Sequence, residues 1–179
     1  TPTPCTKFQS SAVAELRAEG VHVTLPTGWD GRVTVRRDGD ALALRSLSGT
    51  PVLEERPQPV VHVANFGLPE ERGDFGGGAV ELMGDRDVFV VLFEYEPEAT
   101  QTPLFAAVGL PRSLAPRDFD VTTLRRGIAG QSGVQIFFQE AGRAFCLYVV
   151  LGSHARRARL VPLVNSVLAS VVIGPTRPQ

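Results

Sequence analysis

The sequence predicts an α+β fold. It reads as a single domain over 10–174, a mostly antiparallel β-sheet flanked by an N-terminal and a C-terminal helix as an α/β/α sandwich, with 1–9 a disordered leader and 175–179 a tail. Three observations carry that expectation. Near the start, Val21-His22-Val23-Thr24-Leu25 alternates apolar and polar residues and runs into Pro26-Thr27-Gly28-Trp29, a strand closed by a turn. Near the end, Ala158, Val161, Val164, Leu168 and Val171 recur at helical spacing and lead into a short β-like tail. Between these ends the apolar runs have strand length and are separated by turn signals, with no βαβ alternation and no internal repeat, which argues against a Rossmann or barrel fold.

Each element has a local reason. Residues 10–19 begin with serines and continue with Ala, Glu, Leu and Arg, all good helix formers, so they read as a short helix stopped by Gly20. The run 31–36, the turn dipeptide Asp38-Gly39 and the run 41–45 read as a hairpin. In it Val33 and Val35 face one side, while Arg32, Thr34 and Arg36 face the other, a side left to water. Residues 48–58 read as loop and 60–66 as a strand. A turn-rich loop, 69–78, ends in Gly76-Gly77-Gly78, and 79–83 follows as a short helix or strand. The stretch 88–95 is apolar on both faces, as a central strand is. An acidic, proline-bearing loop at 96–103 precedes a short strand at 104–107, and 111–126 reads as loop with one helical turn. The runs 134–139 and 144–151 form a second hairpin across 140–143. Pro162 falls early in the last helix and should kink it or mark a late start.

Composition bounds the function. A chain of 179 residues buries roughly 70% of its unfolded surface, so its core requires neither a metal nor a disulfide. A net charge of -1 supplies no global field for nucleic acid or an anionic membrane. No apolar run approaches the roughly 20 residues that span a bilayer. Among 18 Lys and Arg, Lys7 alone is lysine, a bias that reads as the codon usage of a GC-rich genome, with selection of arginine for bidentate anion contacts as the alternative. That leaves no P-loop or Schiff-base lysine outside the leader. Cys146 lies within an apolar run and reads as a buried, inert thiol, while its pairing with Cys5 stays open, as does the compartment.

The motifs that resemble chemistry each lack a part. Asp74-Phe75-Gly76-Gly77-Gly78 has neither the Lys-Ser/Thr of a P-loop nor G-x-G-x-x-G spacing. Asp74 and Glu81 flank it, and a carboxylate about 4 Å from a phosphate costs about 4 kcal/mol. It reads as a turn needing positive φ, with a lid over a pocket as the alternative. Gly130-Gln131-Ser132-Gly133 approaches a nucleophile elbow, but Val134 stands where the closing glycine belongs. His22 and His62 occupy alternating strand positions, where structural roles are usual. Asp85-Arg86-Asp87 begins like a calcium loop and turns apolar at Val88. Glu94 and Glu96 share a strand face and read as the solvated end of a strand, with a cation held between them as the alternative. Trp29 reads as a lid on the core, with a ligand platform as the alternative. No catalytic residue, metal ligand or cofactor is therefore assigned.

One cluster stands out. His154, Arg156, Arg157 and Arg159 gather at the start of the terminal helix, where cations oppose the macrodipole. Acids at 94–98 or 118–120 neutralise them in one reading. In the other they form a docking patch for an acidic partner or a small anion, and these four are the candidate binding residues.

Leu25-Pro26-Thr27-Gly28-Trp29 at the first strand, together with the closing run Val167-Leu168-Ala169-Ser170-Val171 into a last short strand, resembles the photosystem PsbP / Mog1-like α/β/α domain. The resemblance covers the ends of the chain, and 76–78 and 108–126 depart from it. It implies an accessory or adaptor module without catalysis. The function expected is thus a non-catalytic binding or accessory domain for a protein partner or small anion, with no nucleic acid and no membrane span. Two alternatives accompany it. One is a hydrolase with its site beneath Gly76-Gly77-Gly78; the other is a homo-oligomeric assembly protein pairing through the face of Arg32, Thr34 and Arg36.

Overall fold

The computed structural model describes residues 14–36, 58–124 and 126–175. Among these residues eight strands form two antiparallel sheets. The smaller is ordered β1-β2-β8, from β1 (Ala14–Ala18), β2 (Val21–Leu25) and β8 (Val172–Ile173). The larger is ordered β3-β4-β5-β7-β6, from β3 (Asp30–Arg36), β4 (Gln58–Ala64), β5 (Val88–Glu94), β6 (Ser132–Glu140) and β7 (Arg143–Leu151). Among the described residues one α-helix, α1 (Arg157–Ser170), lies between β7 and β8 in the chain.

The expected helix-flanked α/β/α sandwich is therefore corrected. The described part of 10–19 is strand β1, paired with β2 from Ala14↔Leu25 to Ala18↔Val21. Gly20 is no helix stop: Glu19 (φ 46°) and Gly20 (φ 78°) are both left-handed, the pattern of a two-residue hairpin turn. The same glycine serves a helix C-terminus or a tight turn, and pairing with β2 overrides the helix propensity of Ala, Glu, Leu and Arg.

Both faces of the large sheet are buried, which is why β4, β5 and β7 are buried along their whole lengths. On one face, Val61, Val63, Val90, Leu92, Leu147 and Val149 pack with Leu160, Val161, Val164, Val167 and Leu168 of α1 and with Val21, Val23 and Leu25 of β2. Trp29 packs against this core as a half-buried lid. The apolar stripe of α1 is as the spacing predicts, except that Ala158 is exposed while Leu160 and Val167 turn inward. Pro162 sits inside α1, and a 3₁₀ turn at His154–Arg156 precedes the helix. On the opposite face Val60, Phe89, Val91, Phe93, Tyr148 and Val150 pack, among the described residues, with Leu68, Phe75 and Leu124 of loops and with Val80 of a 3₁₀ turn (Val80–Leu82).

Other expectations divide. β5 is the central strand of the large sheet, and β6 and β7 form the second hairpin from Ser132↔Leu151 to Glu140↔Arg143. β3 pairs with β4, from Asp30↔Ala64 to Arg36↔Gln58, while the expected partner strand 41–45 lies outside the described residues, as does Cys5. No strand forms at 104–107. Pro103 opens a 3₁₀ turn (Pro103–Phe105), and only Val108 bridges to Gln139. Glu94 is not a solvated strand end. Arg143 holds it bidentately, Nε to Oε1 at 2.8 Å and Nη2 to Oε2 at 2.5 Å, with both side chains buried. The third guanidinium nitrogen donates to the Gly174 carbonyl at 3.0 Å, and Gly174 N–H donates to the Gly20 carbonyl. The pair thus ties the large sheet to the β1–β2 turn and the β8 tail.

Candidate functional site

The loop-covered face of the large sheet holds a cavity of about 200 Å³. Tyr148 and Val150 of β7 supply its sheet side, and Gly73, Phe75 and Gly77 its covering segment. Val80, Leu124, Arg126 and Gln131 complete the lining.

Glycine allows the covering segment to approach this closely. Gly73 N–H donates to the Gly77 carbonyl and Gly76 N–H to the Gly73 carbonyl, each at 2.8 Å. Ala79 and Val80 N–H groups close on the Gly76 carbonyl at 2.9 and 3.0 Å. Gly76 has φ 83°, and a Cβ there would lie 2.2 Å from Phe89 Cε1. Aromatic contacts add to the attachment: Phe75 stacks on Phe93 (centroids 4.9 Å apart) and meets Tyr148 edge-on at 5.8 Å.

A buried histidine lies under the same segment. His62, 1% exposed in β4, stacks on Phe89. Its Nε2 is 2.9 Å from the Asp74 carbonyl, and its Nδ1 accepts from Arg72 Nε at 3.1 Å. The two contacts fix the tautomer, because a carbonyl needs a donor and a guanidinium needs an acceptor. His62 is therefore neutral with the proton on Nε2, and burial pushes its pKa below the ordinary histidine value. Arg72 also donates to the Pro69 and Glu70 carbonyls. The sequence singled out neither His62 as a loop anchor nor Arg72, because the partner of His62 is a backbone carbonyl and no side-chain pattern reports it.

Besides the Tyr148 phenol, two polar side chains line the cavity, Arg126 and Gln131. Arg126 pairs with Glu81. Hydrogen bonds from its own backbone N–H and that of Gly78, then Arg126, hold the Glu81 carboxyl below its usual range. Gln131 is 4% exposed and donates from Nε2 to the Val80 carbonyl at 2.8 Å. Gln131 Oε1 is buried and has no hydrogen-bond partner among the described residues. Its neighbour Ser132, the residue that evokes a nucleophile, is fully buried, and its Oγ likewise has no partner among them.

The four sequence candidates do not converge on one point. Arg156 Nε meets Asp85 Oδ2 at 2.8 Å, and Arg157 Nη1 turns back to the His154 carbonyl at 2.9 Å. His154 N–H donates to the Gly130 carbonyl at 2.6 Å, and its Nδ1 is buried without a partner among the described residues. Arg159 is exposed. Of the acids expected to neutralise them, Glu94 belongs to Arg143, and Glu96 faces Arg36 at 3.6 Å. Asp120 is held ionised mainly by the N–H and hydroxyl of Thr122, with a small contribution from His154. Among the described residues no three His, Cys, Asp or Glu side chains gather as a metal site would require, and no helix is long and apolar enough to cross a membrane.

What the described residues define is two antiparallel β-sheets with one C-terminal helix and a covered hollow on the larger sheet. The chain matches no family model, no curated protein and no solved structure.

Proposed function

We propose that this domain is a non-catalytic binding module whose ligand occupies the cavity beneath 73–77. The observation that carries the reading is the lining: aromatic and aliphatic walls from Phe75, Tyr148, Val80, Val150 and Leu124, with one cationic side chain, Arg126. An apolar cavity of about 150 Å³ holds a benzene ring, whereas drug-sized molecules need about 300–1,000 Å³. A cavity of about 200 Å³ suits a single ring or a group of that bulk. Arg126 suits an acidic substituent, which would exchange with Glu81 for the guanidinium. This keeps the small-anion expectation but moves it from the helix start to the loop-covered face.

The hydrolase alternative has less support. The Ser132 hydroxyl is sealed, and His62 spends both ring nitrogens on the loop. A nucleophile needs a base within hydrogen-bond reach and access to substrate. For assembly through the β3 face, Arg32 and Thr34 are exposed, but Arg36 lies over the Phe93 ring at 4.1 Å and hydrogen-bonds Gln58, so that face is not free to pair along its length.

Benzoate and benzyl alcohol test the reading, with amide chemical shifts as the measurement. Benzoate is expected to shift Gly73, Gly77 and Gln131 saturably and more tightly than benzyl alcohol. Arg126→Gln should weaken benzoate by roughly tenfold, about 1.4 kcal/mol, the order of one charge-assisted hydrogen bond. Leu124→Trp, filling the hollow, should abolish both responses while the chain still melts cooperatively. Shifts that never saturate, or that gather around Arg156 and Arg159 instead, refute the cavity.

A further inference from the structure

We infer that His62 is a proton-operated latch on the cover of this cavity: neutral, it holds 69–78 against the sheet, and protonated, it lets that segment go. The ligand half of the inference rests on the cavity reading above; the latch itself does not.

The geometry makes the neutral ring the binding form. Its Nδ1 lone pair is what Arg72 Nε donates to, at 3.1 Å. Protonation removes that acceptor and sets an N–H against a guanidinium, two cations at hydrogen-bond distance. Arg72 is also the residue that gathers the Pro69 and Glu70 carbonyls, so its displacement loosens the start of the segment. The bond from Nε2–H to the Asp74 carbonyl survives protonation, but it is one neutral acceptor for a charge that is otherwise sealed from water.

Among the described residues no carboxylate forms an ion pair with the ring. From the covering segment, Arg72 and Asp74 face the ring; the Asp74 carboxylate lies 3.9 Å from Arg36 and gives His62 only a weak attraction. From β3, Arg32 stands opposite His62 in register, and Asp30 is engaged by Arg32 at 3.5 Å and by the Leu68 N–H at 2.9 Å. From β5 come only the Phe89 ring and Val91, both uncharged. Burial, first, and the Arg72 guanidinium disfavour an imidazolium here.

Linkage fixes the sign. Burial lowers the proton affinity of the closed form, so opening takes up a proton. The latch holds above the ordinary histidine pKa of about 6.5 and weakens as pH falls below it, by up to about tenfold in the closing equilibrium per pH unit, until the closed form itself protonates.

Glutamine at 62 supplies a non-titrating comparison, since its Oε1 accepts and its Nε2 donates as the neutral ring does. Hydrogen exchange, corrected for the intrinsic pH dependence, is followed at the Gly73 and Gly76 amides, with Val90 and Val149 in the large sheet as references. Between about pH 7.5 and about pH 5.5, protection at Gly73 and Gly76 is expected to fall roughly tenfold in the native chain while the references hold, and to stay level in His62→Gln. Equal losses in both chains, or none in the native one, overturn the latch. If His62→Gln does not fold, the ring's own NMR titration decides: a midpoint at or above about 6.5 overturns the proposal, and one clearly below supports it. Benzoate, ionised throughout this range, supplies the ligand arm. Its affinity should fall with acid in the native chain and not in His62→Gln. Failure of benzoate to bind at any pH counts against the cavity reading alone, because the exchange experiment still decides the latch.

Discussion

Replacing Arg143 with Met is expected to cost about 3–5 kcal/mol of folding stability, the largest loss from any single charged residue among those described. The reason is the asymmetry of buried ion pairs. Arg143 and Glu94 are both removed from water, and two short hydrogen bonds, with the Gly174 carbonyl as third partner, offset that desolvation. Removing only the guanidinium strands a buried carboxylate. The measurement is the denaturant midpoint of Arg143→Met compared with that of Glu94→Leu/Arg143→Met. The double variant removes both charges and is expected to regain more than half of the loss, because an apolar pair of similar volume satisfies the same space. A double variant as unstable as the single one would show that packing of the side chains, not the unpaired charge, sets the cost. The single variant should also free the tail, since Gly174 is tied to both Arg143 and Gly20.

This pair shows where sequence reading runs short. Glu94 and Arg143 stand 49 residues apart, and nothing in either neighbourhood reports the other. Glu94 at the end of an apolar run looks like a strand emerging into solvent, and Arg143 in Ala-Gly-Arg looks like a turn residue. The strands themselves were legible, because alternation or continuous apolarity is set by burial within a few residues. β2, β5 and the β6–β7 hairpin all follow their patterns. The terminal helix was legible for the same reason.

The N-terminal error has a different origin. Glu and Ala residues before Gly20 satisfy local helix rules, and only the hairpin with β2 converts them to strand. Its consequence was architectural, since a helix was expected where loops cover the second sheet face. The cavity lies on that face, between Tyr148 and Val150 of β7 and the segments that cover them. Part of it is visible in the sequence. Gly76-Gly77-Gly78 reads as a turn or lid, and Gly130-Gln131-Ser132-Gly133 draws the eye to Ser132 when Gln131 is the residue lining the hollow. Arg126 and Arg72 carry no signal at all among so many arginines.

Gly76→Ala should be the most damaging change to the cavity. Two costs combine. A side chain at φ 83° lies in the left-handed region, about 1–2 kcal/mol for alanine. Its Cβ would also fall 2.2 Å from Cε1 and 2.8 Å from Cζ of Phe89, a ring that is fully buried at the centre of the sheet and stacked on His62. Overpacking of this kind typically costs about 1–3 kcal/mol. The ring has little room to retreat, so the covering segment is expected to move, taking Phe75 from Phe93 and Tyr148. Thermal unfolding should report a total loss of about 2–5 kcal/mol, and the Gly73 and Gly76 turn amides should exchange as if unprotected even at neutral pH. Gly127→Ala is the control. A methyl group on Gly127 would meet no atom within 4 Å, and its φ is not left-handed, so the stability of that variant should stay within about 0.5 kcal/mol of the native chain. If the two alanine variants melt together, the close approach at Phe89 does not hold the cover down, and the segment would then depend on the His62 and Arg72 contacts alone.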